Sequence, residues 1–198
     1  MRVRFKSRYD DDINLFEDRW HLLQYGLLLG AAVVAPWLLG SYYLGELTSV
    51  LIWALAGLGL MLVTGHTGQV SLGHAAFMAI GAFTNLALML RGWNFFPALL
   101  ASALVSGVVG ALIARPILRM SGIYLAIATL ALSIIIEDVA IMAAPITGGV
   151  SGLFAPTIEL FGLQANRYGN PTAFYYLCLT VLVLVTLGYA NLLRSPTG

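Results

Sequence analysis

The sequence predicts an all-α protein: a polytopic bundle of about six membrane helices, with a polar, glycine-rich break between the second and the third. Three observations predict it. The chain is 60% hydrophobic and only 10% charged over 198 residues, whereas a soluble domain carries about a quarter charged residues. Its apolar residues gather in six long runs. Lipid offers no partner to backbone N–H and C=O groups, so a run that crosses it has to fold as a helix.

The runs are Leu22–Leu39, Leu44–Val63, Ala75–Leu90, Phe95–Ala114, Ile123–Ala144 and Ala173–Leu193. Spanning takes roughly 17–25 apolar residues, and the third run is short by that measure. Residues 1–20 read as a polar cytoplasmic tail, and 21–198 as the transmembrane domain. The tail mixes Arg2, Arg4, Lys6 and Arg8 with Asp10, Asp11, Asp12, Glu17 and Asp18. That is too long and too acidic for a cleavable signal, and the run after it is long enough to span and stay. Trp20, Trp37, Tyr42, Tyr43, Trp93, Tyr124, Tyr175 and Tyr189 stand at run ends, where an aromatic belt meets the interface. With six crossings and the N-terminus inside, eight of the ten basic residues lie on the inner side, leaving Arg91 and Arg167 outside. One crossing fewer makes it seven against three, so positive-inside counting favours six only slightly.

Several function classes drop out. Net charge is +1, which gives no general attraction to nucleic acid. Lys6 is the single lysine, so there is no P-loop lysine near a Gly-rich turn. No GxSxG elbow, GxGxxG fingerprint or zinc-ligand spacing occurs. The chain does not read as an enzyme: no catalytic residue, metal site or cofactor is expected. Cys178 lies in an apolar run and reads as a small hydrophobe.

Gly26 and Gly30 form a GxxxG pair, and Ser102, Ser106, Gly110 and Ala114 line one face at four-residue steps. Both patterns are expected to pack this chain's own helices closely. The longest loop, Pro145–Pro171, carries Gly148, Gly149, Gly152, Gly162 and Pro156. A loop of that length is often a gate or a docking surface. Glu137 and Asp138 adjoin in the fifth run, about 100° apart on a helix. The reading preferred is that the helix reaches the outer surface there and both carboxylates are wet.

The most informative segment is Gly65-His66-Thr67-Gly68-Gln69-Val70-Ser71-Leu72-Gly73-His74. It is polar yet carries no formal charge with neutral histidines, and apolar runs flank it closely. An ordinary cytoplasmic loop would carry Arg or Lys. Chemistry alone leaves two readings level. One is non-helical backbone at membrane depth, tolerated where it is buried in protein or lines a cavity. The other is a plain tight turn. His66 and His74 lack nearby ligands, and hydrogen bonding across helices is the better expectation for both.

Gly68–Phe77 followed by Ile80-Gly81-Ala82-Phe83 closely resembles the signature of the inner-membrane permeases of branched-chain amino acid (Liv-type) ABC importers. Gly122–Leu130 is similar to that family's helix start, and Thr147-Gly148-Gly149-Val150-Ser151-Gly152-Leu153 to its loop. Arg194-Ser195-Pro196-Thr197-Gly198 resembles the start of the cytoplasmic loop that docks on the ATPase. The resemblance covers roughly Leu44 to the C-terminus.

The resemblance implies a permease subunit moving branched-chain amino acids across the bacterial inner membrane, powered by a separate ATPase. Implied partners are a second permease subunit, two ATP-binding subunits, a periplasmic or extracellular substrate-binding protein and the bilayer. Gly68, Gln69, Ser71, Gly73 and His74 would form the path or gate. Thr147, Gly148, Gly149, Ser151 and Gly152 would form the outer gate, and Arg194–Gly198 the start of ATPase coupling. Relatives continue beyond such a point, so an N-terminal fragment is expected. Where the family commonly places an acidic and then a basic residue, this chain has Ile134 and Glu137, which puts strict leucine-type specificity in question. A urea or short-chain amide permease of the same family is the sibling reading. An autonomous channel or secondary transporter is the alternative of another class, and a scaffold has no use for the break.

Overall fold

A computed structural model of the protein describes residues 19–66, 68–69, 71–117, 120, 122–160, 163–166 and 169–194. The N-terminal tail to residue 18, Thr67, Val70, Gly162 and Ser195–Gly198 lie outside the described residues. The helices are α1 (Arg19–Leu38), α2 (Ser41–Met61), α3 (His74–Leu90), α4 (Phe95–Ile117), α5 (Ile123–Met142), the short α6 (Ala144–Thr147) and α7 (Pro171–Arg194). α2 runs on into a π-helical turn, Leu62–His66, and a 3-10 turn, Gly149–Ser151, follows α6.

The six apolar runs therefore each become one long helix, and the all-α class holds. Among the described residues, Ser41–His66, Phe95–Ile117, Ile123–Met142 and Pro171–Leu193 are long and apolar enough to cross a membrane. His74–Leu90 is apolar but shorter, as is the portion Leu23–Leu38 of the 20-residue α1. The short third run was legible in the sequence. Exposure is inverted relative to a soluble fold: Trp37, Trp53 and Leu100 are 79%, 73% and 72% exposed. Apolar side chains in that number on helix surfaces need lipid or further helices around them.

The chain divides into two compact units, residues 1–55 with 166–198, and residues 56–165, so α2 contributes to both. In the first unit Ala35, Leu44 and Tyr175 form a small core against Leu47, Leu51, Tyr176 and Leu179. Pro36 lies inside α1 and has no N–H, which leaves the Ala32 carbonyl without its helical partner. The Tyr175 hydroxyl donates to that carbonyl at 2.8 Å, and Tyr176 donates to the Val33 carbonyl at 2.9 Å. Tyr175 is 1% exposed, its hydroxyl turned inward to an orphaned acceptor. α7 begins cleanly because Asn170 caps it, its Oδ1 accepting from the Ala173 N–H at 3.3 Å, with Pro171 in the first turn. Gly26 and Gly30 have open space where a Cβ would stand, so this pair does not pack closely against the other described helices of its own unit as expected.

In the second unit α3 and α4 are neighbours joined by the turn Arg91–Asn94. The other small-residue stripe behaves as expected. The Ser106 hydroxyl donates to the Phe77 carbonyl at 3.0 Å. A Cβ on Gly110 would lie 3.5 Å from the Phe77 ring. Ser102 and Ala98, earlier in α4, are buried. The long loop is less irregular than its length implied. Besides α6 and the 3-10 turn it holds two short antiparallel strands, β1 (Ile158–Leu160) and β2 (Leu163–Ala165), with Ile158 opposite Ala165. This hairpin was not foreseen, since three-residue strands leave almost no periodic signal.

Candidate functional site: the break between α2 and α3

The break is set by what bounds it. On its N-terminal side the α-helix loosens into the π turn Leu62–His66, a form that is rare in proteins and concentrated at functional sites. On its C-terminal side α3 starts at His74, with Gly73 as N-cap and no side chain capping it. Between them Gly68 has φ +65°, and Leu72 and Gly73 lie against α5.

The contact with α5 is made by Thr129. Its hydroxyl donates to the Ala126 carbonyl at 3.0 Å and accepts the Leu72 N–H at 3.0 Å. Thr129 is buried. Gly73 is buried as well, and a Cβ there would come 2.8 Å from the Thr129 carbonyl oxygen. Backbone of the break is thus docked on protein rather than looped out as a tight turn. His74 follows, and its ring reaches back to α2: a Cβ on Gly59 would lie 3.0 Å from its Cε1. No hydrogen bond of the His74 side chain is found among the described residues, contrary to the cross-helix bond expected for it. Packing against Gly59 places the ring instead.

Facing the break is a cavity of about 390 Å³. Gln69, Ser71 and His74 line one side of it, and α4 and α5 contribute Ser106, Gly107, Gly110 and Thr129. Three of the five residues named from the sequence therefore share one cavity wall. Gly68 and Gly73 shape the backbone around it. Ser106 and Thr129 were not singled out as site residues, although each sat in a pattern already noted, the small-residue stripe and Gly122–Leu130. What was missing was the knowledge that α4 and α5 pack on the break.

The second group, Thr147, Gly148, Gly149, Ser151 and Gly152, forms a compact knot at the end of α5. The Thr147 hydroxyl is buried and lies 2.5 Å from the Ala140 carbonyl and 2.9 Å from the Ala143 carbonyl, while accepting the Gly149 N–H at 3.2 Å. Gly148, Gly149 and Gly152 all take positive φ. Ser151 is exposed. Thr147 and Gly149 line cavities other than the one beside the break. Of the third group, Arg194 closes α7 and Ser195, Pro196, Thr197 and Gly198 lie outside the described residues. Glu137 and Asp138 are both exposed, and Glu137 lines a cavity shared with α3. Among the described residues no three His, Cys, Asp or Glu side chains converge as metal ligands would.

Thr129→Val keeps the shape and removes the hydroxyl. The Leu72 N–H is then orphaned, and stability is expected to fall by about 1–3 kcal/mol. Thr129→Ser should stay near wild type. Thermal unfolding in detergent compares them; equal melting of the Val and Ser variants would mean that the bond contributes nothing.

Long apolar helices and a glycine-broken segment facing a polar-edged cavity define a multi-pass membrane protein of the transport class. The chain belongs to the family described as branched-chain amino acid transport system / permease component, which it matches over residues 42–198. It is similar to the high-affinity branched-chain amino acid transport system permease protein LivM of Salmonella typhimurium, 34% identical over 193 residues, and to the protein of the same name of Escherichia coli K12, 33% identical over 193 residues. Each alignment takes in 86% of this chain and 45% of the relative, so the chain spans about 45% of the length of these curated relatives. Both are transport permeases by name, not enzymes. No solved structure matches the chain.

Proposed function

We propose that the chain is the permease subunit of an ABC importer that moves branched-chain amino acids across the bacterial inner membrane, powered by a separate ATPase. The observation that carries this reading is the family match across residues 42–198. The relatives' names support branched-chain amino acids over urea or a short-chain amide. The partners are a second permease subunit, two ATP-binding subunits and a substrate-binding protein. Residues 1–20 form a cytoplasmic tail and 21–198 the membrane domain. The break around Gly68, Gln69, Ser71, Gly73 and His74 belongs to the solute path, with its polar groups beside the cavity. The knot of Thr147, Gly148, Gly149, Ser151 and Gly152 is the outer gate, and Arg194–Gly198 begins the coupling loop. ATP binding and hydrolysis in the partner alternate access to the path.

The test is purification of the protein from native membranes in mild detergent, followed by mass spectrometry of what accompanies it. A second permease and P-loop ATPases are expected, with ATPase activity stimulated by leucine, isoleucine or valine. Stimulation by urea instead would reassign the cargo. Recovery of the chain alone, in a complex stable to detergent exchange, would overturn the reading in favour of an autonomous channel or secondary transporter.

A further inference from the structure

We propose that the cavity facing the break is a subsite for the aliphatic side chain of the solute, and that Gly107 sets the size it admits. The inference rests on the amino-acid reading above. About 390 Å³ falls within the range of small-molecule sites, about 300–1,000 Å³.

The lining is divided by chemistry. Gln69, Ser71 and His74 edge the cavity on the side of the break, and Val63, Ile113 and Leu132 supply aliphatic surface. The hydroxyls of Ser106 and Thr129 also face it, but each already donates to a backbone carbonyl, Phe77 and Ala126 respectively. The side-chain donors left to meet a solute are therefore those of the break. A primary amide and a hydroxyl can each donate and accept, and an imidazole adds a further polar group. Neither the amide nor the hydroxyl brings a formal charge. That set suits a solute whose own charges cancel, since an uncompensated charge in an apolar setting is strongly disfavoured. The aliphatic remainder of the wall then takes the solute's hydrocarbon side chain.

Gly107 faces this volume from α4. A Cβ there would meet nothing within 4 Å, whereas one on Gly110 would touch the Phe77 ring at 3.5 Å. The first carbon of a side chain at 107 therefore enters open space. A single methylene in an apolar pocket discriminates between substrates by roughly 10–200-fold, so a leucine side chain at 107 is large on that scale.

The experiment uses the intact transporter in cells and measures uptake of radiolabelled alanine, leucine and phenylalanine, normalised to the amount of permease in the membrane. Gly107→Leu is expected to lower the leucine-to-alanine uptake ratio about tenfold or more. Ile113→Ala enlarges the same wall and is expected to raise phenylalanine uptake relative to leucine, a shift that loss of folding does not produce. If Gly107→Leu fails to reach the membrane, the Ile113→Ala ratio decides alone. Unchanged ratios, with wild-type leucine uptake intact, overturn the subsite. A wild-type transporter that moves no aliphatic amino acid overturns the amino-acid reading first, and the subsite with it.

Discussion

On the function proposed above, Gly73→Ala is expected to reduce amino acid uptake by the intact transporter about tenfold or more while the protein still reaches the membrane. A Cβ at this position would lie 2.8 Å from the Thr129 carbonyl oxygen and 3.2 Å from the Thr129 Cβ. The first obstacle is backbone in the middle of α5, which cannot swing aside as a flexible side chain would. Relief comes from lifting the break away from α5. That movement stretches the 3.0 Å bond from the Leu72 N–H to the Thr129 hydroxyl and takes Ser71 and His74 off the cavity wall. Overpacking costs about 1–3 kcal/mol, and the lost bond about as much again. Each 1.4 kcal/mol is about a factor of ten in the docked population. Uptake of radiolabelled leucine, normalised to membrane abundance, reads the effect. A wild-type rate would mean that docking of the break on α5 has no part in transport.

Gly148→Ala is expected to have the largest effect on the stability of the loop. Two penalties coincide there. Gly148 has φ +76°, a left-handed conformation costing a residue with a Cβ roughly 1–2 kcal/mol. In addition that Cβ would overlap the Gly152 carbonyl oxygen, with Leu153 Cγ close behind at 3.0 Å. The turn has to unwind, releasing the Gly148 N–H bond to the Ala144 carbonyl. Gly152→Ala provides the comparison. Gly152 also has positive φ, +68°, but a Cβ there meets nothing within 4 Å, so only the backbone strain applies. Limited proteolysis of the segment 144–157 is expected to be fastest for Gly148→Ala, intermediate for Gly152→Ala and slowest for wild type. Equal rates for the two variants would show that the contact between Gly148 and Gly152 does not hold the turn.

Helix positions were largely legible in the sequence because they depend on local hydrophobic runs. The predicted Phe95–Ala114 and Ala173–Leu193 differ from α4 and α7 by a few residues at their ends, where capping by Asn170 and the tolerance of Pro116 near a helix end set the limits. The polar break was legible for the same reason, as an uncharged interruption between apolar runs. Its docking was not. Thr129 is 57 residues from Leu72 along the chain, and nothing in the local pattern says which hydroxyl will meet an exposed N–H. The burial of Tyr175 was hidden in a similar way, because its partner is a carbonyl 143 residues away that Pro36 had left open.

Composition and periodicity by themselves determined that this is a helical membrane protein with its polar chemistry confined to a few interruptions, since lipid requires every spanning backbone group to find its partner within the helix. The glycine-rich signatures also carried the family. Only the tertiary structure decided which interruptions are structural and which are open. Thr147 and three left-handed glycines turn one into a knot, whereas Gln69, Ser71 and His74 edge a cavity completed by α4 and α5. The physical reason is that hydrogen bonding and steric fit across helices depend on distances between segments remote in sequence, which no local periodicity encodes.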